Sequence, residues 1–206
     1  AESGLEITSF TGHTESVMSV AFSPDGTLVC SGSRDLAVKI FAVDTGLEIT
    51  TFTGHKRMVS SVTFSPDGKL VCSGSYDNTA KIFAADTGLE VITFSDEKDA
   101  IARSVAFSPD GKLLCSSYDK TVKIFAVGTG LVVSSFTGHN KEVSSVAFSP
   151  DGKFVCSGSE DKTVKIFAVD TGLEVTSFTG HSTVVNSVAF SPDGTLVCSG
   201  SRDLAV

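Results

Sequence analysis

The chain has 206 residues, a formal net charge of −8, 41% hydrophobic residues and 19% charged ones. That is enough apolar material for one buried core and too much for a disordered chain. An acidic balance without basic runs argues against nucleic acid as the main partner, because phosphate binding needs clustered Lys or Arg. No apolar run approaches the roughly 20 residues of a membrane span, and no basic head with a long apolar stretch precedes the first repeat. Neither a membrane nor a secretory leader is expected.

The chain is a repeat. Ser-Pro-Asp-Gly stands at residues 23–26, 65–68, 108–111, 149–152 and 191–194, in steps of 42, 43, 41 and 42. Asp35, Asp77, Asp119, Asp161 and Asp203 step by 42 throughout. The third unit gains a residue near Arg103 and loses the glycine of Ser31-Gly32-Ser33, so its length is restored at Asp119. The repeats run over 5–44, 47–86, 89–128, 131–170 and 173–206, in a single domain of residues 1–206. In the second unit, strands are predicted at 47–52, 59–64, 69–73 and 79–84. Each is rich in Val, Ile, Phe and Thr and bounded by Gly, Pro, Asp or Asn. Pro followed by Asp-Gly suits a tight turn, since Pro presets φ and Gly accepts a positive one. No helical periodicity appears. Several strands are apolar on both faces, as at Val20, Ala21 and Phe22, and a sheet of that kind must be covered on both sides. Radial stacking of identical sheets does this.

Gly12-His13, residues 19–26, Ser31-Gly32-Ser33-Arg34-Asp35 and Val38-Lys39-Ile40-Phe41 together resemble the repeat of the WD-repeat β-propeller family, in five successive copies. The resemblance implies an all-β propeller of four-stranded antiparallel blades, and a non-enzymatic scaffold that binds a protein or peptide. Two departures stand out. Phe-Ala (Phe41-Ala42 and its equivalents) replaces the family's Trp-Asp, and Asp96-Glu97 replaces Gly-His in the third unit. The resemblance also implies a buried network of His, strand Ser and turn Asp in each blade: His13 with Asp35, His55 with Asp77, His139 with Asp161, and His181 with Asp203. In the third blade an acidic pair would face Asp119, so that blade is expected to be the weakest.

Val206 aligns with Val38 and Ala1 with Val43. The last blade is thus incomplete, and the predicted strand at 5–10 would be shared with it. A closed five-bladed ring and a piece of a longer array both remain open, with the broken strand at Val206 favouring the second. An open ring would expose blade faces and invite self-association.

Four of the five units hold Ser, His and Asp, yet no oxyanion hole or nucleophile turn accompanies them, so a structural role is expected and an enzyme is not. Cys30, Cys72, Cys115, Cys156 and Cys198 fall at one strand position in separate blades. They are expected as buried free thiols, neither paired nor metal-binding, in a reducing, cytoplasmic setting. No cofactor is expected. Lys39, Lys81, Lys123 and Lys165 read as a solvated or snorkelling ladder. The informative positions vary between otherwise matching copies: Met18, Ser60, Arg103, Ser144 and Asn186 early in the first strand, and Arg34, Tyr76, Tyr118, Glu160 and Arg202 in the second turn. In a propeller these converge on one face near the channel, where a protein or peptide partner is expected. The alternative is a lectin-like binder with one small-ligand site per blade.

Overall fold

A computed structural model describes residues 8–96 and 99–206; among these there are eighteen strands in five sheets, and no helix. The first sheet holds β1 (Val17–Phe22), β2 (Leu28–Ser33), β3 (Val38–Ala42) and β4 (Glu48–Phe52). The second holds β5 (Val59–Phe64), β6 (Leu70–Ser75), β7 (Thr79–Ala84) and β8 (Glu90–Ser95). The third holds β9 (Ala102–Phe107), β10 (Leu113–Tyr118), β11 (Thr121–Ala126) and β12 (Val132–Thr137). The fourth holds β13 (Val143–Phe148), β14 (Phe154–Ser159), β15 (Val164–Ala168) and β16 (Glu174–Phe178). The fifth has β17 (Val185–Phe190) and β18 (Val197–Ser201). All neighbouring strands are antiparallel and follow one another in chain order.

The turn chemistry explains the first hairpin of every sheet. The Ser23 hydroxyl donates to Asp25 Oδ1 at 2.6 Å, and the Thr27 N–H donates to the same oxygen at 3.0 Å. The Leu28 N–H in turn donates to Ser23 Oγ at 2.9 Å, and Gly26 takes φ 72°. Four side-chain and backbone groups thereby fix where β1 ends and β2 begins, and the arrangement recurs at Ser65, Ser108, Ser149 and Ser191.

Stacking explains the core. Cys30, Val38, Ile40 and Phe52 of the first sheet form one buried cluster with Val59, Val62, Phe64, Val71 and Phe83 of the second. Three further clusters join the later sheets in the same way. Phe52 stacks on Phe83 with ring centroids 4.5 Å apart, and Phe136 on Phe167 at 4.8 Å. Burying each such Phe or Val contributes about 1.5–3 kcal/mol, so adjacent sheets hold one another folded. A polar seam runs beside this core. The N–H of Val62 donates to Ser19 Oγ of the sheet before it at 3.1 Å, and Val105, Val146 and Val188 repeat the bond to Ser61, Ser104 and Ser145. The close approach needs glycine in the second strand: a Cβ on Gly74 would lie 2.5 Å from the Ala102 carbonyl oxygen.

The two ends of the array differ from its interior. Val20 and Phe22 are 65% and 66% exposed, whereas Val62 and Phe64, their counterparts one repeat later, are 5% and 7% exposed. Phe178 is exposed where Phe52 and Phe136 are buried, and Cys198 is exposed, unlike the other four thiols. The expectation of five buried cysteines therefore fails at Cys198, because no following sheet among the described residues covers its side of β18. Among the described residues, β17 pairs only with β18. Residues 5–7 of the strand expected at 5–10 lie outside the described residues. Phe10 lies on Phe41, with centroids 5.2 Å apart, in the position that Phe52 takes on Phe83.

Candidate partner-binding face

Two kinds of polar constellation recur. The first is internal. In the fourth sheet the His139 ring lies between Asp161 Oδ2, 2.9 Å from Nδ1, and Ser157 Oγ, 2.7 Å from Nε2. The same arrangement links His13 to Asp35 and Ser31, His55 to Asp77 and Ser73, and His181 to Asp203 and Ser199. Burial pushes the His139 imidazole below its usual pKa, so it is neutral near pH 7. Burial alone would raise Asp161, but the Thr163 hydroxyl, the Asn140 N–H and His139 hold it at about 2. With the carboxylate ionised, Nδ1 carries the proton and Nε2 accepts from Ser157. The set looks like a hydrolytic triad, yet Ser73 and Ser157 are wholly buried, and a nucleophile must reach its substrate. What the network does is tie the loop before the first strand to the turn after the second: the Asn140 N–H donates to Asp161 Oδ2 and the Thr163 N–H to Oδ1.

The third sheet fills the corresponding space with an aromatic ring and without those hydrogen bonds, its Ser116 and Tyr118 hydroxyls being buried with no partner among the described residues. Losing one residue makes its second turn tighter, with Tyr118 opposite Thr121. Tyr118 moves into the sheet and is 1% exposed. Its ring meets Phe125 edge-on at 6.0 Å, much as His139 meets Phe167 at 6.5 Å. Tyr118 thus fills the place of the missing histidine. It is not a surface residue, and its assignment to the partner face is corrected here: the deletion shifts register, and register decides which way a strand residue points.

Asp96 does not face Asp119. It pairs with Lys123, while Glu97 lies outside the described residues. The lysines are not a solvated ladder either: Lys39 meets Glu48 at 2.7 Å, Lys81 meets Glu90 at 2.8 Å and Lys165 meets Glu174 at 2.8 Å. Val132 stands at the corresponding position of the third sheet, and Asp96, replacing a glycine of the other units, supplies the carboxylate instead. Loss of one acidic group in the third sheet is matched by gain of another in the segment that leads into it.

The second constellation faces outward. In each first strand one residue is bulged out of the ladder. Register breaks between Val17 and Ser19, Val59 and Ser61, Val143 and Ser145, and Val185 and Ser187, and β9 is irregular at the same place. The bulged residues are Met18, Ser60, Ser144 and Asn186, with Arg103 at the equivalent place in β9. A bulge re-aims its side chain and commonly sits beside a functional site. Beside these lie the second-turn residues, because the Arg34 N–H bonds the Ser16 carbonyl at 3.0 Å, and Tyr76, Glu160 and Arg202 bond those of Met58, Glu142 and Val184. Arg103 Nη1 closes the arrangement across two sheets, 3.1 Å from Glu142 and 3.0 Å from Glu160. Arg103 and Glu160 are thus brought together, and Ser60 is turned inward, donating to the Arg103 carbonyl at 2.9 Å. Glu142 follows Gly138-His139 in the loop before the first strand, where the copies also differ in sequence, and it joins this set.

The family model described as "WD domain, G-beta repeat" matches residues 4–41, 46–83, 88–125, 130–167 and 172–206. The chain belongs to the WD-repeat family. Its sheets are therefore WD blades, with Phe41, Phe83, Phe125 and Phe167 where the family motif has tryptophan. WD repeats generally act as non-catalytic platforms for protein–protein contact. Comparison with curated proteins finds no match.

Proposed function

We propose that the five repeats act as one rigid platform and bind a protein or peptide segment on the face where the bulged residues, the loops before the first strands and the second turns meet. The observation that carries this is the bulge. Every blade breaks its ladder at one position, which carries Met18, Arg103 and Asn186 in three blades and a serine with an inward or buried hydroxyl, Ser60 and Ser144, in the other two, while the strand around it hardly changes. Invariant polar groups, which a one-site-per-blade sugar binder would need on the surface, are instead engaged in the His–Ser–Asp networks and in the turns. Loops held on a stiff scaffold suit recognition, because little order is lost on binding.

The test is selection of a random-peptide display library on the immobilised chain. Recovered peptides are then measured against two variants: Arg34→Glu/Tyr76→Ala/Arg202→Glu on this face, and Lys69→Glu/Lys153→Glu at the Ser-Pro-Asp-Gly turns on the other. Binding should be lost with the first and kept with the second. Recovery of no binders, or loss with the second variant alone, refutes the reading.

A further inference from the structure

What each bulged side chain meets is set by the following blade. At the junction of the third and fourth blades, Arg103 is neutralised by Glu142 and Glu160. The first and second blades repeat the same backbone. Met18 is bulged as Arg103 is, and the Tyr76 N–H bonds the Met58 carbonyl at 3.0 Å as the Glu160 N–H bonds that of Glu142 at 2.9 Å. Met18, Met58 and Tyr76 therefore occupy the places of the charged triplet. They include both methionines of the chain and one of its two tyrosines. Met18 is 41% exposed, and Met58 and Tyr76 are half-buried. Arg34, Lys56 and Arg57 on the same two blades are exposed.

We propose that this junction is the anchor subsite of the face, and that it takes a peptide segment with an apolar side chain flanked by carboxylates. The proposal rests on the face being the binding surface. Its apolar part is two unbranched, polarisable thioethers beside an amphipathic ring, a combination that adapts to varied aliphatic and aromatic side chains. Its rim carries three exposed cations, Arg34, Lys56 and Arg57, against one exposed carboxylate, Glu15, on a chain whose net charge is −8. With a Debye length of about 8 Å at physiological salt, the nearby cations outweigh the distant anions. Charge complementarity thus selects an acidic segment, and the methionine pair selects an apolar residue within it. The junction of the third and fourth blades, with its charges already paired, offers neither.

The peptides recovered on the intact chain test this directly. They should carry Leu, Met or Phe next to Asp or Glu, and their affinity should fall as salt rises. Met58→Ser and Tyr76→Ala should each weaken binding roughly tenfold, Arg57→Glu should weaken it similarly, and Lys112→Ala, exposed at a Ser-Pro-Asp-Gly turn on the opposite face, should leave it unchanged. Tyr76→Phe retains the ring and should bind nearly as the native chain does, which separates loss of the anchor from loss of the fold. Peptides that lose binding with the Arg34/Tyr76/Arg202 variant, yet ignore Met58→Ser and Arg57→Glu and show no acidic–apolar signature, would overturn the subsite and leave the face intact. Peptides indifferent to every variant on the face would overturn both.

Discussion

Replacing Asp161 by asparagine tests whether the buried network stabilises its blade through charge. The Asp161 side chain is 7% exposed. It receives the Thr163 hydroxyl at 2.6 Å, the Thr163 N–H at 3.0 Å, and the Asn140 N–H and His139 Nδ1 at 2.9 Å each. Desolvation opposes ionisation, yet these donors hold the group at about 2, against 3.8 for an unperturbed aspartate. That difference corresponds to stability on the order of 2 kcal/mol at pH 7. Its sign follows from proton binding. The unfolded chain takes up the proton near pH 4 and the folded chain only near pH 2, so the contribution is complete above pH 5 and lost as the pH falls through 2; about half is gone by pH 3. Urea unfolding of the native chain and Asp161→Asn, measured in parallel from pH 7 to pH 3, isolates the residue because other titrating groups cancel in the difference. The native chain should be the more stable by about 2 kcal/mol at pH 7, with the gap narrowing toward pH 3. A gap independent of pH, or none at pH 7, would show that the carboxylate charge does not hold the loop to the turn.

Asp96→Ala leaves the half-buried Lys123 without its carboxylate and should cost about 2 kcal/mol in thermal or urea unfolding. Asp96→Gly combined with Val132→Glu rebuilds the pairing of the other blades and should recover most of that loss; no recovery would mean that the two acidic positions are not interchangeable. Val20 and Phe22 are exposed where their counterparts are buried, so sedimentation velocity should show concentration-dependent self-association. Val20→Lys/Phe22→Lys should suppress it, and a native chain that stays monomeric at high concentration would refute the expectation. Burial pushes the Cys30 and Cys156 thiols up to about 12 and raises Cys72 and Cys115 well above the ordinary thiol range. A thiol reagent should therefore label Cys198 promptly and the other four only on unfolding; rapid labelling of more than one would argue against tight blade stacking.

The repeat itself was legible because its signals are local. A serine two residues before an aspartate closes its own turn, and alternating β-branched residues on either side of that turn make strands wherever the unit falls in the chain. Residues apolar on both faces require covering sheets, so the stacking of blades and the clusters around Phe52 and Phe83 followed. The internal His–Ser–Asp sets were found through resemblance and repetition rather than through any single segment.

Sequence alone therefore determined the unit, its turns and the need for neighbours. Tertiary structure decided what each equivalent side chain became. Tyr118 is core while Tyr76 stays half-exposed, because one deleted residue turned a strand position inward. Lys123 pairs with Asp96 rather than with a glutamate, because its usual partner position holds Val132. Cys198 is exposed and Cys156 buried, though both sit in the same local sequence, because among the described residues only Cys156 has a blade packed beyond it. A turn is fixed by bonds spanning a few residues, whereas burial depends on the backbone register of a sheet some forty residues away, which no local pattern contains.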